Sequence, residues 1–303
     1  MEMASNITST NPEPPAIEFR HVSFSFDDKP ALKDISLQLP RGSMIYVTGK
    51  SLSGKSVLLR LGIGLLQPDE GQVLIDGRDF SQLTEEEQFA LRRTSMGIVF
   101  QDSSLFTGLS VYENAAYRLT EAGLSEEAVE RGALEILCFV GLERDASRLP
   151  EELSIGMRRR LEFARALAGW PKTMLFDEPA TGLDPINARN ILDLIVRARD
   201  IHGVSSILVT KDAWEIHYVS KRRAVEGQSG QVRMADDPAS LPRGEVILLD
   251  SGSVVFRGTP ADFASSQFPA VTIMTRGIHG SPAASPRLRD PWSRERKPRL
   301  RSR

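Results

Sequence analysis

The sequence predicts an α/β fold: a mostly parallel sheet with helices on both faces, an N-terminal antiparallel β-subdomain and an inserted α-helical subdomain. Three observations carry this. Short apolar runs at 44–47, 97–100, 173–176 and 205–209 alternate with helical spacing, the pattern of parallel strands joined by crossover helices. Residues 17–26 alternate, and turns at Asp27-Asp28 and Pro40-Arg41-Gly42 follow, which suits short antiparallel strands. Between Asp102 and Ala168 the apolar period becomes helical throughout.

Taken in order, residues 1–15 are polar and rich in Ser, Thr, Asn and Pro, with no basic-then-apolar leader pattern, and read as a disordered N-terminus. After the antiparallel strands, an apolar strand runs into Gly49-Lys50-Ser51-Leu52-Ser53-Gly54-Lys55-Ser56, and a helix leads out through Val57, Leu58 and Leu59 and stops before Pro68. A short strand at 72–75 and a charged helix at 85–93 precede the strand that Gln101 closes. Within the helical stretch, about 102–168, Ser125 caps a helix whose apolar face is Val129, Ala133, Ile136, Leu137 and Val140, ended by Gly141. Cys138, the sole cysteine, reads as buried filler on that helix. Ser154 opens a second helix with Met157, Leu161, Ala164 and Ala168 in one stripe and Arg158, Arg159 and Arg165 off it. A helix over 188–200 separates the last two strands of the alternating series. Residues 222–243 are polar and read as a surface insertion; 245–256 read as a hairpin. The end, 276–303, reads as a basic disordered tail, with eight Lys/Arg against two acidic residues from Ser281 onward.

Bulk properties exclude several classes. The chain has 303 residues, 41% hydrophobic and 26% charged, ordinary for a globular protein. No apolar run approaches the roughly 18–20 residues that cross a bilayer. A single cysteine excludes an internal disulfide and suits a reducing compartment. With the tail as the only basic cluster, no nucleic-acid partner is expected.

The chemistry begins at Gly-x-x-x-x-Gly-Lys-Ser. Strand, glycine loop and helix turn successive N–H groups toward a phosphate chain, with the partial positive charge of the helix N-terminus behind them. Lys55 would reach the outer phosphates and Ser56 would hold Mg²⁺. Asp177 and Glu178 end an apolar strand, where Asp177 could hold Mg²⁺ through water and Glu178 could take the proton of an attacking water. Gln101 ends another strand and could ligate Mg²⁺. Ser154 and Gly156 open a helix as an anion site, and Ala180-Thr-Gly-Leu183-Asp184-Pro185 follows the acids.

Together, in order and spacing, these segments resemble the ATP-binding subunit of ATP-binding cassette (ABC) transporters, over about residues 17–263 of a domain spanning 16–275. The resemblance implies ATP and Mg²⁺ as ligands, with Phe26 stacking on adenine and Gly49 to Ser56 cradling the phosphates. It implies a head-to-tail dimer, expected to be a homodimer, in which Ser154 and Gly156 cap the nucleotide held by the second protomer and Asp184 lies across the seam. The segment after Gln101 (Leu105, Phe106, Leu109, Val111, Tyr112) would form part of a groove for an integral membrane permease, although helical-subdomain core is the alternative for those residues. Residues 105–119 and Met157 look most like the lipid-asymmetry (Mla) and mammalian-cell-entry (Mce) ATPases, which implies lipid transport with a lipid-binding partner at the cytoplasmic face of the inner membrane.

Three departures stand out. Leu52 occupies a loop position usually held by Gly, where left-handed backbone would cost about 1–3 kcal/mol. Ile155 replaces the first signature Gly. Lys211 stands where the family has a His that touches the γ-phosphate and helps organise water; Lys can donate but has no acceptor. His217 lies six residues past Lys211, inside the next helix, and does not substitute. ATP is therefore expected to bind normally and to be hydrolysed slowly. Two other readings stay open: the ATPase of an amino-acid or small-solute importer, and a low-turnover regulatory cassette.

Overall fold

The computed structural model describes residues 13–227, 231–236, 244–267 and 271–272. Residues 1–12 of the expected N-terminal segment, the whole tail 276–303, and residues 228–230 and 237–243 of the insertion lie outside the described residues.

Strands β1 (Ile17–Phe26) and β2 (Lys29–Leu39) form an antiparallel hairpin. The chain then enters β3 (Met44–Gly49) and, past the glycine loop, α1 (Lys55–Gly62). Strands β4 (Glu70–Ile75) and β5 (Arg78–Asp79) complete a four-stranded antiparallel sheet in the order β2-β1-β4-β5. Helix α2 (Glu85–Thr94), opened by a Thr84/Glu87 capping box, leads to β6 (Met96–Val99). Three helices follow: α3 (Val111–Glu121), α4 (Glu126–Val140) and α5 (Ile155–Leu167). The alternating part continues with β7 (Thr173–Asp177), α6 (Pro185–His202), β8 (Ser205–Val209) and α7 (Ala213–Lys221). The described chain ends with β9 (Arg222–Glu226), β10 (Val232–Asp236), β11 (Glu245–Asp250), β12 (Ser253–Gly258) and α8 (Pro260–Ser265).

The main sheet has the order β12-β11-β3-β8-β7-β6, parallel except for β12. Its strands alternate between two cores. Met44, Tyr46, Met174, Phe176 and Leu208 face the core built with α3 to α7, whereas Ile45, Val47, Leu175, Ile207 and Val209 face the core shared with α1 and the antiparallel sheet. Period-two alternation with both faces apolar is what a sheet covered on both sides requires.

Four details differ from the sequence reading. Helix α6 begins at Pro185, because the Asp184 carboxylate accepts from the Ile186 and Asn187 N–H groups and Pro suits the first helical position. Residues 222–226 and 232–236, expected only as parts of a polar surface insertion, pair as the antiparallel strands β9 and β10, and the Ala224 N–H is held by Asp200. Strand β11 is more than half of a hairpin: it joins the parallel sheet beside β3. Cys138 is exposed, not buried. It stands about 200° around the helix from Ile136, on the face away from the apolar stripe.

Candidate functional site

Because β3, β8, β7 and β6 run parallel, the segments leaving their C-terminal ends (50–54, 210–212, 178–183, 100–104) lie side by side. That edge is where open α/β sheets bind ligands. The loop geometry demands glycine at two points. A Cβ on Gly49 would lie 2.2 Å from the Leu249 carbonyl oxygen, and one on Gly54 would lie 2.5 Å from that of Ala31. Between them, Leu52 adopts φ 64° with its side chain fully exposed, so it carries the left-handed strain expected of it without packing in return. Lys50 and Ser51 are exposed, while the buried Ser53 hydroxyl has no hydrogen-bond partner.

Lys55 is only 5% exposed, and its ammonium donates to the carbonyls of Gly49 (2.9 Å) and Lys50 (2.7 Å). Burial pushes its pKa down; the nearby Glu178 and Asp177 carboxylates oppose this. Ser56 hydrogen-bonds Asp177, whose buried Oδ1 has no partner of its own. Burial raises the Asp177 carboxyl above its usual range. An unpaired buried carboxylate oxygen beside a hydroxyl is a ready half-site for a hard cation.

Glu178 is held at φ 45° by its N–H bond to the Val209 carbonyl (2.9 Å). Its Oε2 accepts from the Thr181 hydroxyl (3.0 Å) and from the ammonium of Lys211 (3.0 Å). Gln101 follows β6 with its side chain exposed. Phe26 is half exposed and meets Phe24 edge-on at 4.8 Å. Ser154 caps α5 by accepting from the Met157 N–H (3.3 Å). Gly156 is packed so closely that a Cβ would lie 2.3 Å from the Asn187 amide oxygen, and Asn187 in turn donates to Asp184 (2.5 Å). Apart from Phe26, at the end of β1, the expected residues thus form two groups: the loop, Asp177, Glu178, Gln101 and Lys211 at the sheet edge, and Ser154, Gly156 and Asp184 at the facing ends of α5 and α6. Ile155 is exposed beside Ser154.

Past Gln101, Val111 is buried core and Leu105, Leu109 and Tyr112 are half-buried. Phe106 is exposed against Tyr117 (4.5 Å) and under the Arg165 guanidinium (4.9 Å). The buried Asn114 side chain fixes this turn through the backbone of Phe106, Leu109 and Ser110.

Two neighbours of the site escaped the sequence reading. Arg159, placed off the apolar stripe of α5, is 7% exposed and bonded to both acid-bearing and Gln101-bearing segments. Its only sequence signal is Glu162, three residues on, with which it pairs at 2.6 Å. Glu215 of α7 is buried, hydrogen-bonded to Thr210 and within electrostatic reach of Glu178, Asp212 and Lys211; nothing in the local pattern marks it.

Comparison with known proteins says which family has this edge. The protein-family model described as ABC transporter matches residues 32–181. The intermembrane phospholipid transport system ATP-binding protein MlaF of Haemophilus influenzae is 34% identical over 263 residues, 83% of this chain and 98% of that protein. The chain belongs to the ABC transporter family. The family's ATP-binding subunits bind ATP with Mg²⁺, hydrolyse ATP, and act as dimers with a membrane permease. The methionine import ATP-binding protein MetN of Cutibacterium acnes is 37% identical over 229 residues, 74% of this chain and 62% of that protein. Among solved structures, the dimeric post-hydrolysis state of the ATP-binding cassette MJ0796 bound to ADP and Pi matches with a TM-score of 0.66 and 28% identity, over 80% of this chain and 98% of that one. CbiO1 from Clostridium perfringens, part of the ABC transporter complex cbiONQ, matches with a TM-score of 0.70 and 26% identity, over 84% and 92%. No helix among the described residues is long and apolar enough to cross a membrane.

Proposed function

We propose that this chain is the ATP-hydrolysing subunit of a lipid transporter, pairing with a second copy of itself on the cytoplasmic face of the inner membrane and driving a permease that works with an Mce-type lipid-binding protein. The supporting observation is the 34% identity that runs along 98% of the phospholipid-system relative, in a chain that also carries Met157 and the 105–119 segment. The 37% identity to MetN keeps one second reading, a small-solute importer.

In this reading Phe26 stacks on adenine, and the N–H groups of Gly49, Lys50, Ser51, Leu52, Ser53 and Gly54 face the phosphates. Lys55 leaves the Gly49 and Lys50 carbonyls to which it now donates and takes the outer phosphates. Ser56, Asp177 and Gln101 hold Mg²⁺, which supplies positive charge to the phosphate oxygens when bound. Glu178 receives the proton of the attacking water. Ser154 and Gly156 offer the N-terminus of α5 to the phosphates held by the other protomer, and Asp184 stands at the seam.

Lys211 makes the cycle slow. Its ammonium engages Oε2 of Glu178 at 3.0 Å, and it has no lone pair with which to orient water. ATP binding uses other groups and is unimpaired.

The test of the transport reading is purification of the Glu178→Gln protein from native membranes, with identification of what accompanies it. A permease with an Mce-type partner and bound phospholipid is expected. A permease with an amino-acid-binding component would replace this reading with the importer.

A further inference from the structure

Arginine carries five N–H donors in a rigid fork, and Arg159 places all five. Its Nε donates to the Pro179 carbonyl (2.8 Å). Nη1 donates to the Phe100 carbonyl (2.8 Å) and to the Glu162 carboxylate (2.6 Å). Nη2 donates to the carbonyls of Gln101 (3.0 Å) and Glu178 (3.4 Å). The guanidinium therefore fills the gap between the C-terminal ends of the adjacent strands β6 and β7 and ties both to α5, the helix that Ser154 opens. One side chain, 7% exposed, reaches four backbone carbonyls that belong to two separate segments. Among them is the carbonyl of Glu178, a residue in left-handed backbone that its surroundings must hold in place.

We propose that Arg159 is a positioning residue for hydrolysis: it sets the peptides of Gln101 and Glu178 relative to each other and to α5, so that a displacement of the Ser154 end of α5 is carried into the placement of the Glu178 carboxylate. Contact made at Ser154 by phosphate on the other protomer thereby reaches this protomer's own water-activating group. The inference rests on the hydrolytic reading given above, with Glu178 as proton acceptor.

The test is Arg159→Lys, which keeps a positive charge against Glu162 but not the planar fork, made both in the parent and in a Glu178→Gln background. kcat and KM for ATP are measured in the first, and single-turnover rates in both. In the parent background kcat falls about 10- to 100-fold, as misplacing a catalytic group does, while KM and equilibrium ATP affinity stay within about twofold. In the Glu178→Gln background the same substitution changes the rate less than about threefold, because the group it positions is gone. An equal loss in both backgrounds, an unchanged kcat, or a loss of ATP affinity that accounts for the loss of turnover each overturns the proposal. A parent protein with no ATP turnover removes the hydrolytic reading and this inference together; a parent that turns over and is matched by Arg159→Lys removes the inference alone.

Discussion

The ammonium of Lys211 lies 3.0 Å from Oε2 of Glu178, joining two residues 33 positions apart at the ends of neighbouring strands. The Lys211 side chain is half exposed, so the pair adds at most about 1 kcal/mol to stability. Its consequence is chemical: the carboxylate expected to accept a proton from water is already engaged by a cation. Lys211→His replaces that cation with a side chain able to donate and accept. It should raise kcat by at least tenfold, since a prepositioned group of this kind is worth about 10²–10³ in rate, with KM for ATP unchanged. Steady-state ATPase assays at matched ATP decide it, and no gain in rate removes the argument for slow turnover.

Glu178→Gln keeps the Thr181 contact and removes the proton acceptor and the ion pair. Hydrolysis should fall at least 100-fold, and the ATP-bound dimer should persist through size-exclusion chromatography where the parent dimer does not. A dimer lifetime equal to the parent's would favour a regulatory cassette.

Leu52 at φ 64° is fully exposed. Left-handed backbone costs a branched side chain about 1–2 kcal/mol, and a Gly there returns about 0.4–1 kcal/mol of this through the freer unfolded chain. Leu52→Gly should therefore leave the urea midpoint unchanged or slightly raised, with ATP affinity retained. A loss above about 1 kcal/mol would show that the side chain packs on something in solution.

Burial pushes the Glu215 carboxyl up to about 7 from an ordinary 4.5; the Thr210 hydrogen bond opposes this, Asp212 and Glu178 add to it, and Lys211 opposes it. Between those values the folded chain holds a proton that the unfolded chain has released. The Glu215 contribution to stability therefore falls as pH rises from about 4.5 to 7 and stays lower above that. Glu215→Gln should match the parent near pH 4.5 and exceed it by roughly 2–4 kcal/mol at pH 8. Urea denaturation of both proteins at the two pH values tests the sign, and a Glu215→Gln advantage that does not grow from pH 4.5 to pH 8 contradicts it.

What the sequence by itself determined is whatever depends on near neighbours. The glycine loop, the caps Ser125 and Ser154, the αL ending at Gly141 and the two-residue alternation of the sheet strands are all set by residues within a turn or two, so they are legible in the one-dimensional pattern. Only the tertiary structure decided which charges go inside. Arg159 looks like any polar residue off an apolar stripe, yet α5 is enclosed nearly all round, and the carbonyls that make its burial tolerable come from 58 and 20 residues away. Glu215 follows the same rule, and the β9–β10 pair owes its place to Asp200 on α6 rather than to its own composition. Helical and strand periods record which way a side chain points; what it meets there is a property of chain segments brought together by packing.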